Sequence, residues 1–364
     1  MGKNMIQPKE SIKQLERIWD IGYPRERYLR LDKNERIAPF PDKMLDEVFS
    51  KITPDLITMY PNQKPLYKKL SEFLNLDKSH LLLTPGSDAA LKMIFETYTT
   101  SGDRVVLLYP TYAMARVYAN MFQVEVVPVG FTKDYELKFD EFLEKIETVP
   151  KLIYLANPNQ PTGTALSLPQ IEILIDRVKR VETLLIIDEA YHEFSENDLM
   201  LYQNHGAENI VLLRTFSKAL GLAGLRLGYI IAPPVIIRQM YKVKTLSDIN
   251  LFALKFCEYI LDNYHIVDKY LQDVAFSKAS LVKFLESKGL KCISSQTNFI
   301  HIELSDGVEP EKISAKLKEQ GILVQTVKNG LPSTIKGAIR ITVGPMKIMK
   351  RFAETLCTIL SEDK

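Results

Sequence analysis

The chain has 364 residues, of which 46% are hydrophobic and 25% are charged, proportions that are ordinary for a globular protein. Its 47 basic and 45 acidic side chains nearly balance and form no long run of one sign, which argues against nucleic-acid binding and against binding to anionic membranes. The 3 cysteines are far apart and lack metal-ligand spacing, and no run of about 18 apolar residues occurs. We therefore expect a cytoplasmic protein with reduced thiols, no metal site and no membrane span.

The length exceeds the size, about 250–300 residues, at which one hydrophobic core usually stops growing, so two domains are expected. Residues 1–45 carry mixed signals, among them Trp19 and the Tyr23-Pro24 turn, and are predicted to form an arm that packs on the smaller domain. Residues 46–245 are assigned to a large domain and residues 246–364 to a small C-terminal domain.

Short apolar runs alternate with amphipathic stretches between residues 81 and 232. The runs are rich in Val, Ile and Leu and are bounded by turn signals, which is typical of strands buried on both faces. Strand–helix alternation of this kind favours an α/β fold with a mostly parallel sheet covered by helices. The predicted strands are 104–109, 152–156, 184–187, 210–214 and 228–232, and the predicted helices include 88–99 and 168–178.

The pattern changes after Pro233-Pro234. Residues 235–285 are compatible with helix throughout and contain no strand-like run. Strands and helices then alternate again, which predicts a smaller α/β domain joined to the first by a long helix. Its predicted strands are 292–293, 299–304, 322–326 and 338–343, and its predicted helices are 311–320 and 346–361.

A possible anion site lies at Pro85-Gly86-Ser87-Asp88, where a glycine turn leads into a predicted helix. The free N–H groups and the positive dipole end of a helix N-terminus favour an anion such as phosphate. The alternative is an ordinary helix cap made by Ser87 or Asp88.

Three further groups follow predicted strands, at the end where open α/β sheets bind ligands. Tyr112 offers an aromatic ring that could stack on a planar cofactor, and the amide-rich segment 157–160 could hydrogen-bond a ligand. Taken singly, each is better explained by core or turn packing. Asp188 ends a strongly apolar strand, and a buried carboxylate needs a cationic or hydrogen-bonding partner.

Lys218 follows Ser217 in a glycine-rich, otherwise apolar run, and Arg226 lies eight residues further on. Poor solvation disfavours the charged form of a lysine and makes its amine a better nucleophile, as a Schiff base with an aldehyde cofactor requires. A surface lysine beside a flexible turn is the alternative. The chain lacks the G-x-x-x-x-G-K-[ST] loop of nucleotide hydrolases and the G-x-G-x-x-G dinucleotide motif, so neither class is favoured.

In this order, the motifs resemble the fold type I enzymes dependent on pyridoxal 5′-phosphate, and most closely the histidinol-phosphate aminotransferase family with its aspartate aminotransferase-like fold. The resemblance runs from about Leu31 to the C-terminus. It implies that Lys218 forms the Schiff base and shuttles the proton, that Asp188 pairs with the pyridine nitrogen, and that Tyr191 bonds the phenolic oxygen of the cofactor. It also implies that Tyr112 stacks on the ring. The implied phosphate ligands are Ser87, Asp88, Ser217 and Arg226.

Tyr60 matches the tyrosine that family members donate to the cofactor phosphate of the neighbouring subunit. The resemblance therefore implies a homodimer with shared active sites. Arg340 matches the anion-binding arginine of the family, and Asn34 also lies where the family carries a similar residue.

The chain departs from the family pattern on the substrate side. Gln160 replaces an asparagine that bonds the cofactor's phenolic oxygen, a bond that Asn157 or Asn159 could supply instead. Gln325 replaces an arginine that helps to bind the substrate phosphate, and Arg36 is either a replacement charge or a solvated arm residue. These changes call histidinol phosphate itself into question as the substrate.

The resemblance implies an aminotransferase that moves an amino group, by a ping-pong mechanism, from an amino acid donor, with glutamate as the family default, to a small keto acceptor, either phosphorylated or unphosphorylated. A phospho-amino-acid decarboxylase on the same scaffold is the alternative enzyme. A cofactor-binding regulatory module is the non-enzyme alternative. It would need an appended DNA-binding domain, for which the roughly thirty residues before the fold are too few.

Overall fold

The computed structural model of the protein describes residues 6–15, 24–132, 135–195, 208–327 and 337–362. Trp19 and Tyr23 of the predicted arm lie outside the described residues. The strands, in chain order, are β1 (Leu29–Arg30), β2 (Leu81–Thr84), β3 (Arg104–Leu108), β4 (Glu125–Val129), β5 (Leu152–Ala156), β6 (Leu184–Asp188), β7 (Ile210–Thr215), β8 (Gly228–Ile231), β9 (Cys292–Ile293), β10 (Phe299–Glu303), β11 (Ile322–Leu323), β12 (Gln325–Thr326) and β13 (Ala338–Thr342).

Helices cover both faces of the larger sheet and one face of the smaller one. In chain order they are α1 (Glu10–Lys13), α2 (Lys43–Phe49), α3 (Pro54–Thr58), α4 (Lys64–Leu74), α5 (Ser87–Tyr98), α6 (Ala113–Met121), α7 (Phe139–Glu147), α8 (Leu168–Val178), α9 (Pro234–Tyr241), α10 (Leu251–Asp262), α11 (His265–Ser287), α12 (Pro310–Glu319) and α13 (Met346–Glu362). None of those within the described ranges combines the length and apolar character needed to cross a bilayer.

Seven of the described strands form one sheet in the order β2-β8-β7-β6-β5-β3-β4. Strand β8 runs antiparallel to both of its neighbours, and the other pairings in the sheet are parallel. The predicted mostly parallel α/β sheet is therefore confirmed. Alternate residues of β5 enter two different cores, since Leu155 packs on one face of the sheet and Tyr154 on the other. Burial on both faces explains the continuous apolar runs of the sequence.

The strand register aligns the carboxyl ends of the central strands at one edge. Ala156 of β5 pairs with Asp188 of β6, which pairs with Leu213 of β7. The antiparallel strand β8 begins at this edge, because Gly228 pairs with both Thr84 and Thr215. The segments that follow β2, β5, β6 and β7 and the segment that precedes β8 therefore meet here.

A second core lies under an antiparallel sheet of order β12-β13-β10-β9. The predicted helix over 235–285 is divided into α9, α10 and α11, with breaks at 242–250 and 263–264. Helix α11 contributes Val267 to the core of the large sheet and Val274 and Leu281 to the second core, so it joins the two.

The prediction of one strand over 322–326 is wrong. β11 pairs in parallel with β1 of the arm, whereas β12 pairs with β13, and the chain changes sheets at Val324. Leu31 of the arm is fully buried in the second core. The first helix of the arm packs differently, since the Ser11 hydroxyl donates a hydrogen bond to the carbonyl of Met121 at the end of α6.

Candidate active site

A cavity of about 320 Å³ opens at the carboxyl edge of the large sheet, between this edge, the arm and the smaller sheet. Its wall is mixed, with carboxylate, amine, guanidinium, amide and phenol groups. Of the residues expected at the site, those that line it are Asn34, Ser87, Asp88, Tyr112, Gln160, Asp188, Tyr191, Ser217, Lys218, Arg226, Gln325 and Arg340.

One end of the cavity is built as an anion cradle. Helix α5 begins at Ser87, so its first N–H groups have no intrahelical partner. A Cβ atom on Gly86, which has a φ of 88°, would lie 2.9 Å from Nη2 of Arg226. Gly228 is still tighter, since a Cβ there would lie 2.5 Å from the backbone nitrogen of Ser87. The two glycines let a guanidinium and a helix N-terminus converge, an arrangement that fits a phosphate group.

Both side-chain oxygens of Asp188, at the end of β6, accept hydrogen bonds. The Tyr154 hydroxyl donates to Oδ2 over 2.7 Å, and the backbone N–H of Ala190 donates to Oδ1 over 3.1 Å. Burial raises the pKa of Asp188, and these two hydrogen bonds oppose that effect. The group fits a cationic partner in the cavity, such as a protonated pyridine nitrogen.

Asp88 uses its side chain to fix two tyrosines. The hydroxyl of Tyr112 donates to Oδ1 over 3.1 Å, and that of Tyr118 donates to Oδ2 over 2.9 Å. Burial, reinforced by the Asp88 carboxylate, raises the pKa of Tyr112. The Tyr112 ring is thereby fixed at the cavity wall, and the backbone of Asp88 is the part left for an anion at the start of α5.

Lys218 is half-buried and lines the cavity. Its amine donates to the backbone carbonyl oxygen of Lys33 over 3.2 Å and lies 5.4 Å from the centre of the Tyr191 ring. Tyr191 is buried, and its phenolic oxygen accepts a hydrogen bond from the side-chain amide of Asn34 over 2.9 Å. Two adjacent arm residues therefore contact two adjacent groups of the site.

The arm segment that makes these contacts is itself anchored by ion pairs. Arg25 donates to Asp32 over 2.6 Å and to Glu35 over 3.0 Å, and both carboxylates are largely shielded from solvent. The backbone carbonyl of Asp32 in turn accepts a hydrogen bond from Arg340 over 3.2 Å. The arm therefore spans the cavity from Lys218 to the smaller sheet.

Arg340 is buried, at 8% exposure, on the cavity face of the smaller sheet. Its guanidinium lies 5.2 Å from the centre of the Phe299 ring, and its Nε atom has no hydrogen-bond partner. Its strand neighbours in register are Gln325 on one side and the buried His301 on the other. Burial, together with the positive charge of Arg340, lowers the pKa of His301 to about 3. Of the three paired residues Gln325, Arg340 and His301, Arg340 therefore carries the positive charge, and His301 stays neutral.

The amide side chains of Asn157, Asn159 and Gln160 differ in their hydrogen bonds and in whether they line the cavity. The Asn159 amide is fully used, because it accepts from Thr111 and donates to Thr162 and to the carbonyl of Pro110. The Asn157 oxygen accepts from the Leu166 backbone. Gln160 is thus the amide of this segment that lines the cavity.

Neither Arg36 nor Tyr60 lines the cavity in this chain. Arg36 stacks on Phe40 and Tyr270 at 4.6 and 4.2 Å, so it is neither a replacement charge at the site nor a solvated residue. Tyr60 is 89% exposed. The sequence analysis missed Tyr154, because a tyrosine inside the apolar run of β5 has the pattern of an ordinary core residue.

A family model described as aminotransferase class I and II matches residues 50–356. The chain belongs to this aminotransferase family. Histidinol-phosphate aminotransferase 1 of Carboxydothermus hydrogenoformans is 34% identical over 336 residues, which cover 91% of this chain and 93% of that relative. The histidinol-phosphate aminotransferase of Thermoanaerobacter pseudethanolicus is 30% identical over 318 residues, or 86% of this chain and 88% of that relative.

A solved structure agrees with the family assignment at the level of the fold. The histidinol-phosphate aminotransferase of Sinorhizobium meliloti, solved in complex with pyridoxal-5′-phosphate, matches with a TM-score of 0.83 at 21% identity and covers 98% of this chain and 99% of that one. The aminotransferase class I and II family depends on pyridoxal phosphate. The predicted fold type I architecture and the predicted aminotransferase class are confirmed.

Proposed function

We propose that this aminotransferase carries pyridoxal 5′-phosphate on Lys218 and moves amino groups between an amino acid donor, glutamate, and a small keto acceptor in two half-reactions. The observation that carries the proposal is the convergence of three groups on one cavity, namely the Lys218 amine, the doubly hydrogen-bonded Asp188 carboxylate and the cradle at the start of α5. When bound, the cofactor supplies an electron-accepting ring that stabilises negative charge at the substrate Cα.

Different residues of the cavity are assigned to the phosphate, to the ring and to the proton transfer. Ser87, Ser217 and Arg226 bind the phosphate, and Arg226 is already within 3.4 Å of the Ser217 hydroxyl. Asp188 holds a proton on the pyridine nitrogen, and the face of Tyr112 covers one side of the ring. The Lys218 amine, when free, is placed to move a proton at the substrate Cα.

The phenolic oxygen of the cofactor is assigned two donors, Tyr191 and Gln160. The Tyr191 oxygen already accepts from Asn34, so its own O–H is left to donate into the cavity. Gln160 lines the same wall, and its amide reaches one methylene further than an asparagine would.

Arg340 is assigned to the anionic group of the donor and of the acceptor. Its guanidinium is buried beside the cavity with one N–H unpaired, and a carboxylate or phosphate oxygen would satisfy that donor. Because Gln325 is neutral, the acceptor's anion depends mainly on this one guanidinium. Relatives of this chain are named histidinol-phosphate aminotransferases, so the phosphorylated keto compound of that reaction is the first acceptor to test.

We further propose that the protein acts as a cytoplasmic homodimer with shared active sites. Tyr60 is 89% exposed and lies outside the cavity of its own chain, as a residue donated to a neighbouring site would. Large apolar side chains near it in sequence are also exposed, Ile57 at 60% and Met59 at 55%. Sedimentation of the loaded protein tests the dimer, and mixing Tyr60→Phe with Lys218→Ala chains tests the shared site.

Substitution of Lys218 by alanine tests the proposed function. We expect Lys218→Ala to lose the absorbance of lysine-bound cofactor and the amino transfer from glutamate. Lys33→Ala is the matched control, because Lys33 is the other lysine at this cavity and its side chain is exposed. Unchanged absorbance in Lys218→Ala would refute the assignment. Release of carbon dioxide without donor-dependent loss of the aldehyde absorbance would instead identify a decarboxylase.

A further inference from the structure

Tyr154 lies on the floor of the cavity, in the middle of β5, and is fully buried. Its hydroxyl donates to Oδ2 of Asp188 over 2.7 Å. In the parallel register Tyr154 pairs with Ile186, two residues before Asp188. The hydroxyl therefore reaches along the neighbouring strand to the carboxylate.

The hydroxyl of Tyr154 has a role that the nearby tyrosines do not share. Tyr112 also lines the cavity, but its hydroxyl donates to Asp88, and so does the hydroxyl of the nearby Tyr118. Burial and the neighbouring carboxylates raise the pKa of Tyr154 far above its usual range, so its hydroxyl keeps its proton and stays a donor. A phenol that keeps its proton donates a hydrogen bond to Asp188 and so stabilises the charged form of that carboxyl group.

Asp188 needs this support because its surroundings disfavour a negative charge. Burial raises its pKa, and the Asp88 carboxylate adds to that effect. The backbone N–H of Ala190 supplies one opposing hydrogen bond, and Tyr154 supplies the other. A hydrogen bond to an ionised, buried group is stronger than one between neutral groups, so its loss shifts the balance toward a neutral carboxyl group.

We propose that Tyr154 is a positioning residue that keeps Asp188 ionised and aimed into the cavity, so that Asp188 can hold the pyridine nitrogen of the cofactor in its protonated form. The inference rests on the proposed function. The hydroxyl of Tyr154 then acts on Asp188 in addition to the packing of the ring in the core. A phenylalanine at position 154 would fill nearly the same space but would lack the hydroxyl donor.

The test compares the affinity of the apoprotein for two ligands, pyridoxal 5′-phosphate and its 1-deaza analogue, in which carbon replaces the ring nitrogen. Tyr154→Phe is expected to weaken the binding of pyridoxal 5′-phosphate about ten- to hundredfold, the range of a lost hydrogen bond to a charged group. The analogue carries no ring charge, so its affinity is expected to change less than about threefold.

Two controls separate electronics from packing. Asp188→Asn is expected to abolish the parent's preference for pyridoxal 5′-phosphate over the analogue. Adding Tyr154→Phe to Asp188→Asn is expected to cause no further loss of affinity for pyridoxal 5′-phosphate. Tyr118→Phe removes a tyrosine hydroxyl that donates to Asp88 rather than to Asp188, and it should leave the ratio of the two affinities unchanged. Equal weakening of both ligands by Tyr154→Phe would show that the tyrosine only fills space and would overturn the proposal.

A spectroscopic measurement covers the case in which Tyr154→Phe folds poorly. Replacement of Tyr154 by 3-fluorotyrosine keeps the ring and the hydroxyl but makes the hydroxyl a stronger donor. With cofactor labelled with ¹⁵N at the ring nitrogen, the chemical shift should move toward the protonated form in this variant and away from it in Tyr154→Phe. An unchanged shift in the 3-fluorotyrosine variant would overturn the proposal. Failure of the parent apoprotein to bind pyridoxal 5′-phosphate would instead refute the proposed function.

Discussion

The side-chain amide of Asn34 donates a hydrogen bond to the phenolic oxygen of Tyr191, with 2.9 Å between the two atoms. Asn34 is itself fixed by its backbone, because its N–H donates to Thr342 over 3.0 Å and its carbonyl accepts from Asn298 over 3.2 Å. With a φ of 57° it also holds a left-handed conformation that asparagine tolerates better than most residues. The arm is thus fixed to the smaller sheet through Asn34, and the same residue orients Tyr191 at the edge of the large sheet.

Asn34→Asp should reduce kcat/KM about tenfold, the effect of one lost hydrogen bond plus a new charge beside the phenol. The substitution keeps the size of the side chain and its tolerance of positive φ, but it replaces an N–H donor by an acceptor that draws the Tyr191 proton away from the cavity. A double-mutant cycle with Tyr191→Phe measures the coupling. Strict additivity of the two losses would contradict the proposed role of Asn34.

Gly228→Ala should abolish tight binding of the cofactor phosphate, because the new Cβ would lie 2.5 Å from the backbone nitrogen of Ser87 and 2.8 Å from the carbonyl carbon of Gly86. The contacts are with backbone, so relief requires movement of β8 away from the start of α5. Gly224→Ala is the matched control, since a Cβ there meets no atom within 4 Å. Calorimetric titration with pyridoxal 5′-phosphate measures both variants. Normal affinity of Gly228→Ala would contradict the cradle geometry.

His301 should make the stability of the apoprotein sensitive to acid. Its pKa falls from 6.5 to about 3 on folding because of burial and Arg340, so only the unfolded chain takes up its proton between these pH values. The contribution of His301 to the free energy of unfolding is constant above pH 6.5. It decreases as the pH falls toward 3, by up to about 1.4 kcal/mol per pH unit.

Urea unfolding of the parent and of His301→Gln at a series of pH values checks this. The free energy of unfolding of the parent, relative to the variant, should fall by about 2–3 kcal/mol between pH 7 and pH 4.5. Parallel curves for the two proteins would show that His301 takes up its proton in the folded protein as easily as in the unfolded chain.

The sequence predicted the central strands well because their environment is simple. β5, β6 and β7 are buried on both faces, and such strands appear as uninterrupted apolar runs. β4 was missed because it lies at the sheet edge, is partly exposed and contains Pro128, so its pattern is weak. β1 was missed because it is only two residues long, and its pairing with β11, which lies within the predicted strand over 322–326, depends on the packing of the arm.

The site was predicted from motifs that lie at strand ends, where local sequence and ligand position coincide. Contacts that join distant segments left no such signal. The Tyr154–Asp188 bond spans 34 residues and the Asn34–Tyr191 bond spans 157. Each depends on strand register or on the docking of the arm, which no local pattern of residues encodes.

Gln325→Arg should improve the use of phosphorylated keto acceptors. Gln325 lines the cavity beside Arg340 in the register of β12 and β13, and its side chain is exposed. A second guanidinium at this place would add a charge-assisted hydrogen bond to a phosphate, for which we expect a fall in KM of about two- to fivefold, since solvent weakens an exposed contact. The KM for glutamate should change less, because a carboxylate carries half the charge of a phosphate dianion.

Gln325→Met, which keeps the length without adding charge, should show no such gain. The gain of Gln325→Arg should also shrink as ionic strength rises, because exposed charges are screened over about 8–10 Å near physiological salt. Initial rates with phosphorylated and unphosphorylated acceptors at two salt concentrations measure both effects. An equal gain for the two acceptors would show general attraction of anions, and no gain would show that position 325 does not face the acceptor.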